Sequence, residues 1–245
     1  MANSSLQEKP RPVGFYKQPQ DDLWVMRVKL VAGHITVEQL RGLADVVERY
    51  GNGAIHLTTR QGIEVHDLHR AQAEQVIDDL AACELRYGGT GNRVRTIIAC
   101  PGTRCKHGLI DTQKIARLLD ERLRDYEGLA SKFKVAISGC PNGCTSPQAT
   151  CIGIMGAQRK GEDGGAQEGF ALHVGGKMGR RPMIGQRLPA KVYGRETLAD
   201  VCASIVEWYR DQAEEKERLA NTLQRLGMDA LMAHLTATTD IMAGS

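Results

Sequence analysis

Four of the seven cysteines in this chain of 245 residues fall into two close pairs, Cys100/Cys105 and Cys140/Cys144. The second pair lies within Ser138-Gly139-Cys140-Pro141-Asn142-Gly143-Cys144, and Lys132-Phe133-Lys134 stands a few residues before it. Four thiolates can hold one iron–sulfur cluster or one structural zinc ion. Zinc ribbons favour two-residue gaps within each pair, whereas the gaps here are four and three residues. The spacing therefore points first to a cluster, with zinc and inert thiols as the other readings. Lys132 and Lys134 alternate with Phe133, so in a strand both ammonium groups share one face. An isolated Lys-x-Lys reads as a solvated strand edge; here it reads as a short basic strand aimed at the cysteine turn. Cations beside a redox centre suit chemistry on a small oxyanion.

Other groups could join them. Arg27, Lys29, Arg60 and Arg93 lie in or at the ends of strands expected to gather in one sheet. Arg60 belongs to Thr58-Thr59-Arg60-Gln61, a donor-rich turn suited to carboxylates, which arginine forks bind in bidentate fashion. The turn Gly175-Gly176-Lys177-Met178-Gly179-Arg180-Arg181 offers backbone N–H groups and cations, again suited to acidic groups, but lacks the spacing of a dinucleotide fingerprint. Cys83 and Cys202 fall in or beside helices and read as core residues. Cys151, seven residues past Cys144, reads first as a packing residue, with a place near the site as the other reading.

The elements that must position these groups follow from pattern. Leu23–Leu30 alternates as a strand. Thr36-Val37-Glu38-Gln39 forms a capping box that opens a helix with Val37, Leu40, Leu43, Ala44 and Val47 inward, ended by Gly51. Short strands are expected at 54–57 and 62–65, and a helix at 71–82. This order gives an α+β fold: a ferredoxin-like half domain over 21–90, after a polar lead-in over 1–20. A second, α/β domain over 91–245 follows the break Gly88-Gly89-Thr90-Gly91. In it, strands at 94–99 and 133–138 deliver Cys100 and Cys140. A helix is expected at 112–124, a polar loop at 161–169, a strand at 170–174 and helices at 196–219 and 223–235.

Composition excludes several classes. Aromatic residues make up 4% of the chain, too few for base-stacking platforms, and a net charge of +3 is too small to argue for a polyanionic partner. The reading is of no nucleic acid partner and no membrane, because no apolar run approaches a span. The N-terminus shows no secretory pattern, and seven cysteines without one argue for metal binding over a disulfide framework. The expected location is cytoplasmic.

Taken together, Arg27-Val28-Lys29-Leu30, Thr58-Thr59-Arg60-Gln61, Asn92-Arg93, the first cysteine pair, Lys132-Phe133-Lys134 and Cys140-Pro141-Asn142-Gly143-Cys144 resemble the siroheme-dependent nitrite/sulfite reductases. The likeness runs on through Ile152-Gly153-Ile154-Met155-Gly156 and Gly175-Gly176-Lys177, and length is similar to the small, single-copy assimilatory type. Larger members carry two such repeats. The resemblance implies a siroheme and a [4Fe–4S] cluster, the latter held by Cys100, Cys105, Cys140 and Cys144, with Cys144 bridging to the siroheme iron. It implies that Arg27, Arg93, Lys132 and Lys134 bind the substrate anion, and that Thr58, Arg60, Asn142, Lys177 and Arg180 contact siroheme. The implied activity is reduction of sulfite to sulfide, with nitrite to ammonia or a non-catalytic cluster subunit lacking siroheme as alternatives. No flavin or nicotinamide fingerprint is present, so electrons are expected from a separate donor protein. Four features depart from the family pattern: the first cysteine gap is one residue short, Lys29 stands where larger relatives often have arginine, Glu64 stands where glutamine is frequent, and His56 stands where arginine can occur.

Overall fold

The computed structural model describes residues 14–20, 22–160 and 166–243, so most of the polar lead-in lies outside the described residues. The chain divides into two compact units, one built from residues up to 29 with 35–58 and 63–90, the other from 30–34, 59–62 and 91–245.

In the first unit, β1 (Phe15–Lys17), β2 (Leu23–Lys29), β3 (Ile55–Leu57), β4 (Ile63–His69) and β5 (Arg86–Tyr87) form one sheet in the order β1-β2-β4-β3, with β5 also on β2. Helix α1 (Val37–Tyr50) follows β2, and α2 (Ala73–Ala82) follows β4. From β2 onward this is the βαββαβ order of a ferredoxin-like unit. The capping box forms: the Gln39 N–H donates to the Thr36 hydroxyl, and the Thr36 N–H donates to the Gln39 side chain. Met26, Val28, Ile63 and Val65 are buried with Leu43, Val46, Val47, Val76 and Leu80 of the helices. Val37 and Leu40 were expected inward but are exposed; the buried stripe of α1 begins one turn later.

Alternation in β2 and β4 then puts Arg27 and Glu64 on the opposite sheet face from that core.

The second unit holds a mixed sheet, ordered β12-β11-β9-β8-β7-β6. Its strands are β6 (Ile98–Ala99), β7 (Val135–Ser138), β8 (Ile152–Lys160), β9 (Ala166–Val174), β10 (Gln186–Arg187, paired with β9), β11 (Ala190–Tyr193) and β12 (Met242–Ala243). Strands β6, β7 and β8 are parallel, and β8 pairs antiparallel with β9 through nine residue pairs. The expected strand over 94–99 is cut to two residues, joined earlier only by an isolated bridge between Val94 and Phe133. Residues 166–169, expected in a loop, extend β9; 161–165 lie outside the described residues.

Helices α3 (Thr112–Leu123), α4 (Arg195–Gln212), α5 (Leu219–Leu226) and α6 (Met228–Thr238) complete this unit. Leu198, Val201, Cys202, Ile205 and Tyr209 of α4 are buried in one core with Ile115, Leu119, Phe133, Val135, Ile137, Ile152 and Ile154. The helix expected to run to Leu219 stops at Gln212. Glu217 pins the turn that replaces it: its carboxylate accepts from Arg225, Thr222 and the Glu214 N–H, and its carbonyl accepts from the Tyr209 hydroxyl. Among the described residues, no helix is long and apolar enough to cross a membrane.

Candidate functional site

The four paired cysteines lie on two loops at the carboxyl ends of neighbouring parallel strands. Cys100 follows β6 and Cys140 follows β7; both are half-buried, while Cys105 and Cys144 are exposed. The loops are tied at backbone level. The Gly139 N–H donates to the Cys100 Sγ at 3.0 Å, and the Leu109 N–H donates to the Gly139 carbonyl at 2.8 Å. Glycine permits this approach: a Cβ on Gly108 would lie 1.9 Å from the Gly102 carbonyl oxygen, and one on Gly156 2.3 Å from that of Gly139. Ser138 fixes the second loop by accepting from the Thr145 N–H at 3.2 Å, beside Cys144. Among the described residues no three Cys, His, Asp or Glu side chains converge as a single-ion site. Exposed and half-buried thiols on a glycine-shaped rim, with an N–H already aimed at one sulfur, do fit the thiolate ligation of a cluster.

Lys132 and Lys134 are not at this turn. They precede β7 and the cysteines follow it, so the intervening strand Val135–Ser138 separates them. Alternation gives Lys134 the same sheet face as Ser138. Its charged neighbours, however, are Arg60, Lys132 and Arg218, with the Cys151 thiol. Cys151 begins the next strand, where the Ile152 N–H donates to the Lys134 carbonyl. Burial, reinforced by those three cations, pulls the Lys134 pKa down to about 8. Arg60 donates Nη2 to the carbonyls of Thr96 and Val135 at 2.8 and 3.2 Å, and burial, with Arg218 adding to it, lowers its pKa to about 10. Arg218 reaches the Cys151 Sγ at 3.5 Å, while its buried Nε has no hydrogen-bond partner. Like charges gathered in a partly desolvated place raise the cost of the charged forms, a cost that an incoming anion relieves.

Arg27 lies in the first unit and is tied there. It stands opposite Glu64 across β2 and β4, its Nε 2.6 Å from Oε1, and its guanidinium covers the Tyr16 ring at 5.3 Å. Burial works to raise the Glu64 pKa, but hydrogen bonds from Tyr16 and Arg27 outweigh it and hold the carboxyl below its ordinary value. Glu64 is thus an ionised partner of Arg27. His66 stands 3.4 Å from its other oxygen, and His56, paired with Glu64 across β3 and β4, lies 5.5 Å from His66 ring to ring.

Of the remaining positions, Arg93 adjoins the lysine strand, where the Phe133 N–H donates to its carbonyl at 3.0 Å, and Asn142 lies between Cys140 and Cys144. Thr58 follows β3 in the first unit and is half-buried. In the second unit Arg93 pairs with Glu127 at 2.5 Å, Lys177 donates to Asn221 at 2.8 Å, and Asn142 and Arg180 are exposed. Two residues escaped the sequence reading. Gln61 pairs with both backbone groups of Ala99 at 2.8 Å, fixing the strand that carries Cys100; only its place beside Arg60 hinted at this. Arg218 fell inside the stretch expected to be the end of a helix over 196–219.

Comparison with known proteins identifies the family. Residues 90–240 match the model of the nitrite and sulphite reductase 4Fe-4S domain, and residues 16–83 that of the nitrite/sulfite reductase ferredoxin-like half domain. The chain belongs to the nitrite and sulfite reductase family. It is 30% identical to the sulfite reductase [ferredoxin] of Mycobacterium tuberculosis, over 91% of this chain and 42% of that protein. It is 30% identical to the assimilatory ferredoxin-dependent nitrite reductase of Haloferax mediterranei, over 81% of this chain and 36% of that protein. The fold is similar to that of the Mycobacterium tuberculosis NirA protein, with a TM-score of 0.79 at 19% identity, covering 95% of this chain and 47% of that one. The chain therefore spans less than half the length of these relatives.

Proposed function

We propose that this chain reduces a small oxyanion, sulfite to sulfide, using a [4Fe–4S] cluster on Cys100, Cys105, Cys140 and Cys144 and a siroheme reached through Cys144. The reading rests on one observation above all: the two glycine-shaped loops that carry the four cysteines are tied together in the same unit as Lys134, Arg60 and Arg218. When bound, the cofactor pair supplies stored electrons and an iron on which the substrate can sit. Reduction of one sulfite consumes six electrons and eight protons and releases hydrogen sulfide and three waters, the electrons arriving from a reduced donor protein.

The protein's part is field and geometry. Lys132 and Lys134 offer ammonium groups to the oxyanion and stabilise oxygen as it gathers negative charge before leaving as water. A lysine with a pKa near 8 also holds a proton that it can give up at neutral pH. Arg27 and Arg93 are assigned to the substrate anion as further guanidinium donors, each oriented by a carboxylate. Arg60, Thr58, Asn142, Lys177 and Arg180 are assigned to the carboxylates of siroheme, for which guanidinium and backbone donors are suited.

The relatives include reductases of both sulfite and nitrite, and the same cations serve either anion. Anaerobic purification from a host that makes siroheme should yield a protein with a Soret band and a red α-band. Steady-state kinetics with a chemical electron donor should then show higher kcat/KM for sulfite than for nitrite. A colourless protein would overturn the cofactor assignment, and the reverse preference would overturn the substrate.

A further inference from the structure

Arg27 and Glu64 form a charge pair that is complete within the first unit and uneven in its exposure. They stand opposite each other across β2 and β4, on the sheet face away from the buried core. Arg27 reaches the carboxylate through Nε, at 2.6 Å, and its side chain is 38% exposed against 11% for Glu64. Its two Nη groups, the bidentate fork of the guanidinium, donate to no carboxylate among the described residues. The guanidinium lies over the Tyr16 ring at 5.3 Å, and the other Glu64 oxygen stands 3.4 Å from His66. The Nε bond, the ring and the strand register thus fix one direction for a planar group that binds oxyanions edge-on. Hydrogen bonds from Tyr16 and Arg27 outweigh burial and keep the Glu64 carboxyl ionised.

A fork held in this way has a fixed negative charge behind it. An oxyanion on the two Nη groups would sit roughly 7 Å from the carboxylate, on the far side of the guanidinium. Each negative charge on that ligand is attracted by Arg27 and repelled by Glu64, so a doubly charged anion meets the repulsion twice. At a half-exposed site one added charge at that range changes binding by about 3- to 10-fold. We infer that Glu64 is a specificity-determining residue of the site: it aims the Arg27 fork and weakens doubly charged oxyanions relative to singly charged ones. Nitrite and hydrogen sulfite are the forms so favoured, and the sulfite dianion is the form disfavoured. This inference rests on the proposed assignment of Arg27 to the substrate anion.

Perchlorate and sulfate provide the test, because they share a tetrahedral shape and differ by one charge. Each is measured as a competitive inhibitor of sulfite reduction by the cofactor-loaded enzyme, at neutral pH and constant ionic strength. Glu64→Gln keeps an oxygen that accepts from the Arg27 Nε and removes the charge. Its inhibition constant for sulfate should fall about 3- to 10-fold relative to that for perchlorate. Glu64→Ala removes charge and tether together. There the ratio of the two constants should shift the same way, while both anions bind more weakly than to Glu64→Gln. A ratio unchanged from the parent enzyme would overturn the inference, as would sulfate that competes with neither variant. Equal constants in the two variants would refute the aiming of Arg27. If Glu64→Gln fails to take up its cofactors, the ratio in Glu64→Ala decides. Failure of the function reading looks different: the unaltered protein would itself lack siroheme bands and turnover.

Discussion

At neutral pH the Lys134 ammonium is held among Arg60, Lys132 and Arg218, with burial as the main cause of its pKa near 8 against an ordinary 10.5. The sign of the consequence is fixed. Between about 8 and 10.5 the unfolded chain keeps a proton that the folded chain has released, so stability rises with pH through that window. Anion binding has the opposite dependence, because it needs the charged form. KM for sulfite should climb above about pH 8, and Lys134→Arg, which stays charged, should lose that alkaline limb. An unchanged limb in the arginine variant would assign it to another group. Lys134→Met should lower kcat/KM by roughly 10²-fold while leaving the cofactor bands in place. These cations and the four cysteines are plain in the sequence as residue types. Their partners are not: Glu64, standing where glutamine is frequent, is the counter-ion of Arg27.

Strand β8 shows how an element shapes the site without contributing a ligand. Its Gly156 lies against the Gly139 carbonyl, where a Cβ would come within 2.3 Å of the oxygen. Backbone cannot yield as a flexible side chain does, so Gly156→Ala should push the loop that carries Cys140. The expected cost is about 1–3 kcal/mol of stability, typical of overpacking, with reduced cluster occupancy per chain. Denaturant unfolding and visible absorbance measure the two effects; full occupancy at unchanged stability would show that the loop moves freely. The glycines of Ile152-Gly153-Ile154-Met155-Gly156 were visible in the sequence only as part of a resemblance. What they avoid depends on which loop lies over the strand, and that is a long-range matter. The break after Gln212 has the same origin, since the apolar stripe of α4 continues in pattern while Glu217 captures Arg225 and Thr222.

At the scale of the molecule, the two units carry separate cores and separate sheets. A cluster bound only by the second unit should therefore stabilise that unit in particular, because a ligand held by the native state alone shifts local unfolding. Hydrogen exchange before and after oxidative removal of the iron should show protection lost over Cys100–Ile110 and Ser138–Thr150, with β2 and β4 little changed. Equal loss throughout would mean that the units unfold as one.

The sequence by itself determined the chemistry available: thiolates at cluster spacing, a Lys-x-Lys strand, a capped helix within a ferredoxin-like order, and a basic, glycine-rich turn. These are local signals, set by residue type and by spacings of a few positions. Only the tertiary structure decided that the lysines and cysteines lie at opposite ends of β7, and that Arg218 and Cys151 join Lys134. Parallel strands bring together residues far apart in the chain while holding near neighbours a strand's length apart. Nearness in sequence, which suggested one turn, is here what holds the lysines and the second cysteine turn a strand's length apart.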